Sequence, residues 1–364
     1  MRATARLEKG LRAAAARGWD AVIVARPGGG ETRILESKSV ESVDELVQRV
    51  RAATKEGLVK VTLRRADGSR VSFDARHGSA HEVDATAAAE KAMAGKSRSL
   101  RPDAHGPLLR ALGIENADGT ISAQNAKKYK QVSHLVELLR PAWTAAAKRG
   151  ITEENPLRVL DLACGNAYLG FVLAQALLDA GIPFRIHGID VREDLVARCA
   201  ERAANLGFPG LSFSRSSIAE AAGVVIQLGG QPDLVLALHA CDTATDEALA
   251  VADSLHAASV FVVPCCQAEI AVQLRRSRGG PTPAYRHGLL LREHAATLTD
   301  ALRVDWLEAR GFDVDVLEFV EAGHTPKNRL LRGERRREPD LSAMTAWADR
   351  CAALGVAPAA LPIS

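Results

Sequence analysis

Three groups of residues in this chain have types and spacings that could do chemistry. The first is the run Val159-Leu160-Asp161-Leu162-Ala163-Cys164-Gly165-Asn166-Ala167-Tyr168-Leu169-Gly170. Apolar residues lead into a carboxylate, a glycine turn follows, and an apolar helix begins. A parallel strand hands a nucleotide-like ligand to a helix N-terminus in this way. The second is Asp190, which closes the strand Ile186-His187-Gly188-Ile189. A carboxylate at a strand's carboxyl end can accept both hydroxyls of a ribose. The third collects an imidazole, thiols and a carboxylate at two later strand ends, His239-Ala240-Cys241-Asp242 and Pro264-Cys265-Cys266-Gln267.

The glycine turn narrows the ligand. A dinucleotide loop wants three glycines to cradle a pyrophosphate, and only Gly165 and Gly170 are present here. A loop with fewer glycines, opened by an acid, suits S-adenosylmethionine, which has no pyrophosphate. Asp161 would face its amino group and Gly165 would allow close backbone approach. Asp190 would take the ribose, and Ser217 and Ile218, after the third strand, the adenine. Ala163, Asn166, Tyr168 and His239 complete the expected cofactor set.

For the thiol-rich strand ends three chemistries compete. Transfer to an oxygen needs alignment and a base, for which His239 or Asp242 would serve. Methylation at C5 of a pyrimidine needs a thiolate nucleophile, from Cys241, Cys265 or Cys266. His239 with the three cysteines could hold zinc, but a one-residue gap and adjacent cysteines are poor ligand spacings, and no metal is expected. The expected catalytic group is His239, Cys241, Asp242, Cys265 and Cys266. Cys164, Cys199 and Cys351 read as buried thiols.

These motifs together resemble the class I S-adenosylmethionine-dependent methyltransferases, over about residues 157–332. His-x-Cys followed by Thr-Asp, with a later Cys-Cys, resembles the group that contains the eukaryotic tRNA acceptor-stem ribose methyltransferase and its uncharacterised relatives. The resemblance implies RNA modification on a Rossmann-like fold. In that group the fourth strand carries His-Leu-Cys-Gly and the fifth ends in Cys-Cys-His. Ala240, Asp242 and Gln267 depart from that pattern, and the front of the chain lacks the group's cysteine/histidine zinc fingers.

The elements that must position these residues follow from periodicity. Strands at 157–162, 184–190, 211–215, 233–238 and 258–263 alternate with helices at 168–179, 192–206, near 218–227, at 244–255 and from about 267, which is a doubly wound α/β sheet. A helix near 290–310, strands at 312–320 and about 327–332, and a helix at 339–356 follow. The front reads as a small α/β module: a helix near 3–17, strands at 21–25 and 32–36, and a helix at 41–55 capped by Ser42 with Glu45. Strands at 58–65 and 69–75 flank the hairpin signal Asp67-Gly68. The expected domains are a basic module at 1–90, a basic linker and helical segment at 91–156, the methyltransferase at 157–332, and a basic stretch with a terminal helix at 333–364.

Composition bounds the partners. With 47% hydrophobic and 25% charged residues the chain is that of a globular protein. No run reaches membrane-span length, and the N-terminus lacks the apolar core of a signal peptide. Six cysteines make no disulfide scaffold, so free thiols in the cytoplasm are expected, with no membrane partner. The oligomeric state stays open. Residues 1–157 hold 27 Lys and Arg against 19 Asp and Glu, and the remainder 20 against 25. A basic front suggests RNA as partner. Lys127-Lys128-Tyr129-Lys130, Arg275 and Arg276, Tyr285, and His324, Lys327, Asn328 and Arg329 are the expected RNA contacts, with Arg332, Arg335, Arg336 and Arg337 extending the positive field. A methyltransferase of small molecules is the alternative.

Overall fold

A computed structural model of the chain describes every residue except 1, 28–30, 85–88, 91–92, 94–98, 239, 265–267, 277–282, 319–328 and 363–364. The chain divides into two compact units, Met1–Ser133 and His134–Ser364. The division falls inside the long helix Ala123–Ala147. Residues 91–133 thus go with the front unit, and 333–364 with the second.

The front unit is built on five antiparallel strands: β1 (Ala21–Ala25), β2 (Thr32–Glu36), β3 (Lys60–Arg64), β4 (Arg70–Asp74) and β5 (Ser79–Val83), in the order β2-β1-β3-β4-β5. Asp67-Gly68 closes the β3–β4 hairpin, with Gly68 at φ +80°, a conformation open to glycine at little cost. Strand β5 falls within the expected module at 1–90, in a stretch where the sequence pattern predicts no strand. Its sequence, Ser-Ala-His-Glu-Val, is largely exposed and shows no apolar alternation, so only its pairing with β4 defines it. Helices Arg2–Ala15 and Val43–Lys55 cover one face, placing Leu7, Leu11, Leu46 and Val50 against Val22, Val24, Val61, Leu63, Val71 and Phe73. The cap forms as the spacing predicts. Ser42 Oγ accepts the Glu45 N–H at 3.1 Å, and the Glu45 carboxylate accepts the Glu41 N–H at 2.7 Å.

The second unit carries seven strands: β6 (Leu157–Leu162), β7 (Phe184–Asp190), β8 (Leu211–Arg215), β9 (Leu234–Ala237), β10 (Ser259–Val262), β11 (Phe312–Glu318) and β12 (Arg329–Arg335). Their order is β11-β12-β10-β9-β6-β7-β8. Strands β6 to β10 are parallel, and β12 runs antiparallel between β10 and β11. This is a doubly wound, Rossmann-like α/β sheet. The central strands are fully buried, which is why they read as continuous apolar runs rather than alternating ones. The chain goes from β6 outward to β8 and then returns to β9 beside β6, so strand order reverses there. Ligands of such sheets bind outside the carboxyl ends of the strands at that reversal.

Candidate functional site

The run after β6 forms a tight loop locked to its neighbour. Ala163, Gly165 and Ala167 all take left-handed backbone conformations, with φ of 52°, 58° and 52°. Two of the three are alanines, so the loop holds strain that the surrounding structure must overcome. The locks are visible. Cys164 N–H donates to Ile189 O at 2.8 Å, Ala167 N–H to Cys164 O at 2.8 Å, and Gly165 N–H to Asp190 Oδ2 at 2.9 Å. Helix Tyr168–Asp179 then begins against Asp161. A Cβ on Gly170 would stand 3.5 Å from Asp161 Oδ2, so the glycine lets the helix turn approach the carboxyl closely.

Two buried carboxylates face this loop, and their surroundings differ. Asp190 is 4% exposed and receives Gly165 N–H, the Arg192 N–H and both arms of the Arg192 guanidinium. Burial alone would raise its pKa, but the Arg192 and Gly165 donors outweigh burial and hold it below the usual carboxylate range. Asp161 is also 4% exposed, and among the described residues no donor reaches its side chain. Burial, then the charge of Asp190, pushes its pKa up to about 7. A carboxyl so placed favours a cationic ligand group, which would restore its charge. Cys164 and Cys199 lie beside the loop as buried thiols whose pKa burial raises, so neither is a ready nucleophile.

The loop after β9 is organised differently from the sequence expectation. Asp242 has φ +55° and ψ −124°, strained for a side-chain-bearing residue. Its Oδ1 accepts the N–H groups of Ala268 and Glu269 at 2.9 and 3.2 Å. Asp242 therefore ties the end of β9 to the start of helix Glu269–Arg276, and that oxygen is committed to two backbone donors. Cys241 is disulfide-bonded, which corrects its reading as a free thiol. A sulfur in a disulfide supplies no thiolate. His239, Cys265 and Cys266 lie outside the described residues, as do His324, Lys327 and Asn328.

Behind this loop stands a residue that the sequence does not single out. Arg303, 1% exposed on helix Gly288–Ala309, donates to Asp246 at 2.6 Å, Asp300 at 3.3 Å and the Asp242 carbonyl at 2.9 Å. Arg329 joins through Asp300 at 2.8 Å and Thr297 at 3.1 Å. The guanidinium of Arg329 thus serves the fold, which removes it from the expected phosphate contacts. The only sequence signal for this network is Asp300-x-x-Arg303 at helical spacing, which reads equally as a solvated pair.

Other expected contacts are also accounted for internally. Tyr129 is fully buried and donates to Leu100 O at 2.6 Å, so its ring is not offered to a base. Lys128 reaches Leu112 O at 3.3 Å, while Lys127 and Lys130 are exposed. Arg332, Arg335, Arg336 and Arg337 pair with Asp315, Asp253, Glu334 and Asp313, which cancels the positive field expected of them. Ser217 spends both its N–H and its hydroxyl on Glu220, at 3.2 and 2.8 Å. Ile218 is 8% exposed and belongs to the core. By contrast Arg275, Arg276, Arg286 and Arg292 are exposed and have no carboxylate partner among the described residues. Tyr285 stacks on His294 with centroids 5.7 Å apart.

The sequence of residues 127–273 matches the family described as "Methyltransferase domain". The chain carries a methyltransferase domain over those residues. The residues present fit S-adenosylmethionine as its methyl donor: a buried carboxyl at Asp161 that no donor reaches among the described residues, and a glycine turn open to backbone approach. No curated protein matches the chain. Among solved structures, a Podospora anserina methyltransferase bound to S-adenosylhomocysteine is 12% identical, covering 70% of this chain and 95% of that one, with a TM-score of 0.38. An rRNA methylase from Streptococcus thermophilus is 14% identical over 50% and 88%, with a TM-score of 0.33. The CMeT domain of the citrinin polyketide synthase is 12% identical over 93% and 90%, with a TM-score of 0.37. Among the described residues no helix of this methyltransferase is long and apolar enough to cross a membrane.

Proposed function

We propose that this methyltransferase modifies RNA, at a ribose hydroxyl or a base atom, with the acceptor meeting the donor at the carboxyl ends of β9 and β10. One observation carries the reading. Most arginines of the second unit are turned onto its own carboxylates, yet Arg275, Arg276, Arg286 and Arg292 are exposed and have no carboxylate partner among the described residues. They occupy the helix Glu269–Arg276, the short turn Pro283–Arg286 and the first turns of helix Gly288–Ala309. Helix Glu269–Arg276 and the turn lie between β10 and β11, and helix Gly288–Ala309 begins on the carboxyl side of the parallel sheet, where acceptors approach. Exposed guanidiniums suit a chain of phosphates, which bind by releasing counterions.

In this reading Asp161 holds the donor's amino group and Asp190 its ribose. When bound, S-adenosylmethionine supplies an electrophilic methyl on a positive sulfonium. The chain's own part is to bind, orient and deprotonate. Asp242 and Arg303 hold the loop after β9 in its strained shape, and His239 is the proposed base. The likeness to the tRNA acceptor-stem ribose methyltransferase group favours an oxygen acceptor over thiolate chemistry, as does the disulfide at Cys241.

The test is transfer of a labelled methyl group to RNA fractions from a strain lacking this gene, followed by nucleoside mass spectrometry. A single modified nucleoside is expected. Transfer to a small acceptor with none to RNA would overturn the reading. Changing Arg275, Arg276, Arg286 and Arg292 to Gln should weaken RNA binding and flatten its salt dependence, by about one unit of slope per lost phosphate contact.

A further inference from the structure

Asp190 is the most heavily engaged carboxylate of the cofactor crevice, and the identity of its partners has a consequence for binding. A carboxylate offers about four lone-pair positions. Gly165 N–H takes one on Oδ2 at 2.9 Å, and Arg192 N–H takes one on Oδ1 at 3.0 Å. The Arg192 guanidinium takes the other two, through Nε to Oδ1 at 2.9 Å and Nη2 to Oδ2 at 3.0 Å. All four positions are filled.

These donors are not equally fixed. The two backbone N–H groups belong to the locked loop after β6 and to the turn entering helix Glu193–Leu206. The guanidinium sits on a side chain that is 57% exposed, against 3% for its carboxylate partner. It can leave into water without disturbing the fold. Its two parallel N–H groups occupy the positions that the two hydroxyls of a vicinal diol would require.

We infer that Arg192 is a displaceable competitor for Asp190, which the ribose diol of the cofactor must expel, and that Arg192 thereby sets cofactor affinity. This rests on the reading of Asp190 as the ribose acceptor. The pairing also explains an asymmetry between the two crevice carboxylates. Asp190 keeps a cation at hand, while none pairs with Asp161 among the described residues. Once expelled, Arg192 still has the carboxylate of Asp194 nearby, two residues along the chain.

The inference is tested by calorimetry on the full chain with three probes: S-adenosylhomocysteine, adenosine and 2′,3′-dideoxyadenosine. Arg192→Met keeps side-chain length and removes the charge. It should bind S-adenosylhomocysteine and adenosine about two- to fivefold more tightly, the worth of a solvent-exposed ion pair. Dideoxyadenosine, which has no diol, should show no gain. Arg192→Lys keeps the charge without the fork and should fall between. Unchanged or weaker binding of S-adenosylhomocysteine by Arg192→Met overturns the inference, as does an equal gain for dideoxyadenosine. Asp190→Asn separates the two layers. Loss of S-adenosylhomocysteine binding in Asp190→Asn keeps the ribose reading even when the Arg192 result is negative. Unchanged binding in Asp190→Asn removes the ribose reading itself.

Discussion

Cofactor affinity should depend on pH through Asp161, and the size of the effect follows from its surroundings. The carboxyl is 4% exposed, has no donor among the described residues, and titrates near 7. Only the ionised form can pair with the ammonium of the cofactor's amino acid, which stays protonated in this range. The fraction of protein ready to bind therefore falls about tenfold between about pH 8 and about pH 6, or about 1.4 kcal/mol of binding free energy. Near pH 7 binding should also release about half a proton, because the ammonium drives Asp161 to its ionised form. Calorimetry with S-adenosylhomocysteine in buffers of different ionisation enthalpy measures both quantities. The sign for stability is opposite. A carboxyl whose folded pKa lies above its ordinary 3.8 lends stability that is complete at low pH and lost as pH rises through about 7. Asp161→Asn should accordingly raise the melting temperature of the ligand-free protein at about pH 8 while weakening cofactor binding at every pH. A flat pH profile for the wild type, or the same profile in Asp161→Asn, would refute the reasoning.

Three further outcomes are expected. Arg303→Met leaves Asp246 and Asp300 buried without their cation and should cost about 3–5 kcal/mol in urea unfolding; a loss below about 1 kcal/mol means that the network is loosely held. Gly188→Ala would place a Cβ 2.7 Å from the Phe213 ring and 3.0 Å from Cys164 Sγ, so chemical denaturation should show a loss of about 1–3 kcal/mol. His187 is buried between Ser212 and Ser214, at 2.8 and 2.7 Å, and burial lowers its pKa from 6.5. The neutral ring is favoured in the fold, so its contribution is present above about pH 6.5 and lost as pH falls below it. Thermal melts across that range should show the decline, and His187→Gln should flatten it.

Much of the fold is legible because each element announces itself locally. β6, β7 and β8 and helix Tyr168–Asp179 fall where the apolar runs and the glycine turn put them. Ser42 with Glu45 and Asp67-Gly68 work as short-range signals because their partners lie within a few residues. β5 escaped because Ser79–Val83 has no buried face to give it a pattern. Its existence depends on a neighbour strand that composition cannot supply.

The sequence by itself determined the strand–loop–helix frame, the positions of Asp161 and Asp190 at two strand ends, and the shortage of glycines that excludes a pyrophosphate cradle. These are properties of spacing and residue type along the chain. Only the tertiary structure decided which charges remain free. Tyr129 and Arg329 look like nucleic-acid contacts in a linear reading, and packing buries one and pairs the other. Arg303 looks like a surface residue and becomes the buried anchor of the loop after β9. Asp161 and Asp190 are the same residue type in equivalent places, yet Arg192 holds one ionised and burial pushes the other toward neutrality. Charge state depends on what surrounds a group in three dimensions, and residues distant in the chain supply those surroundings.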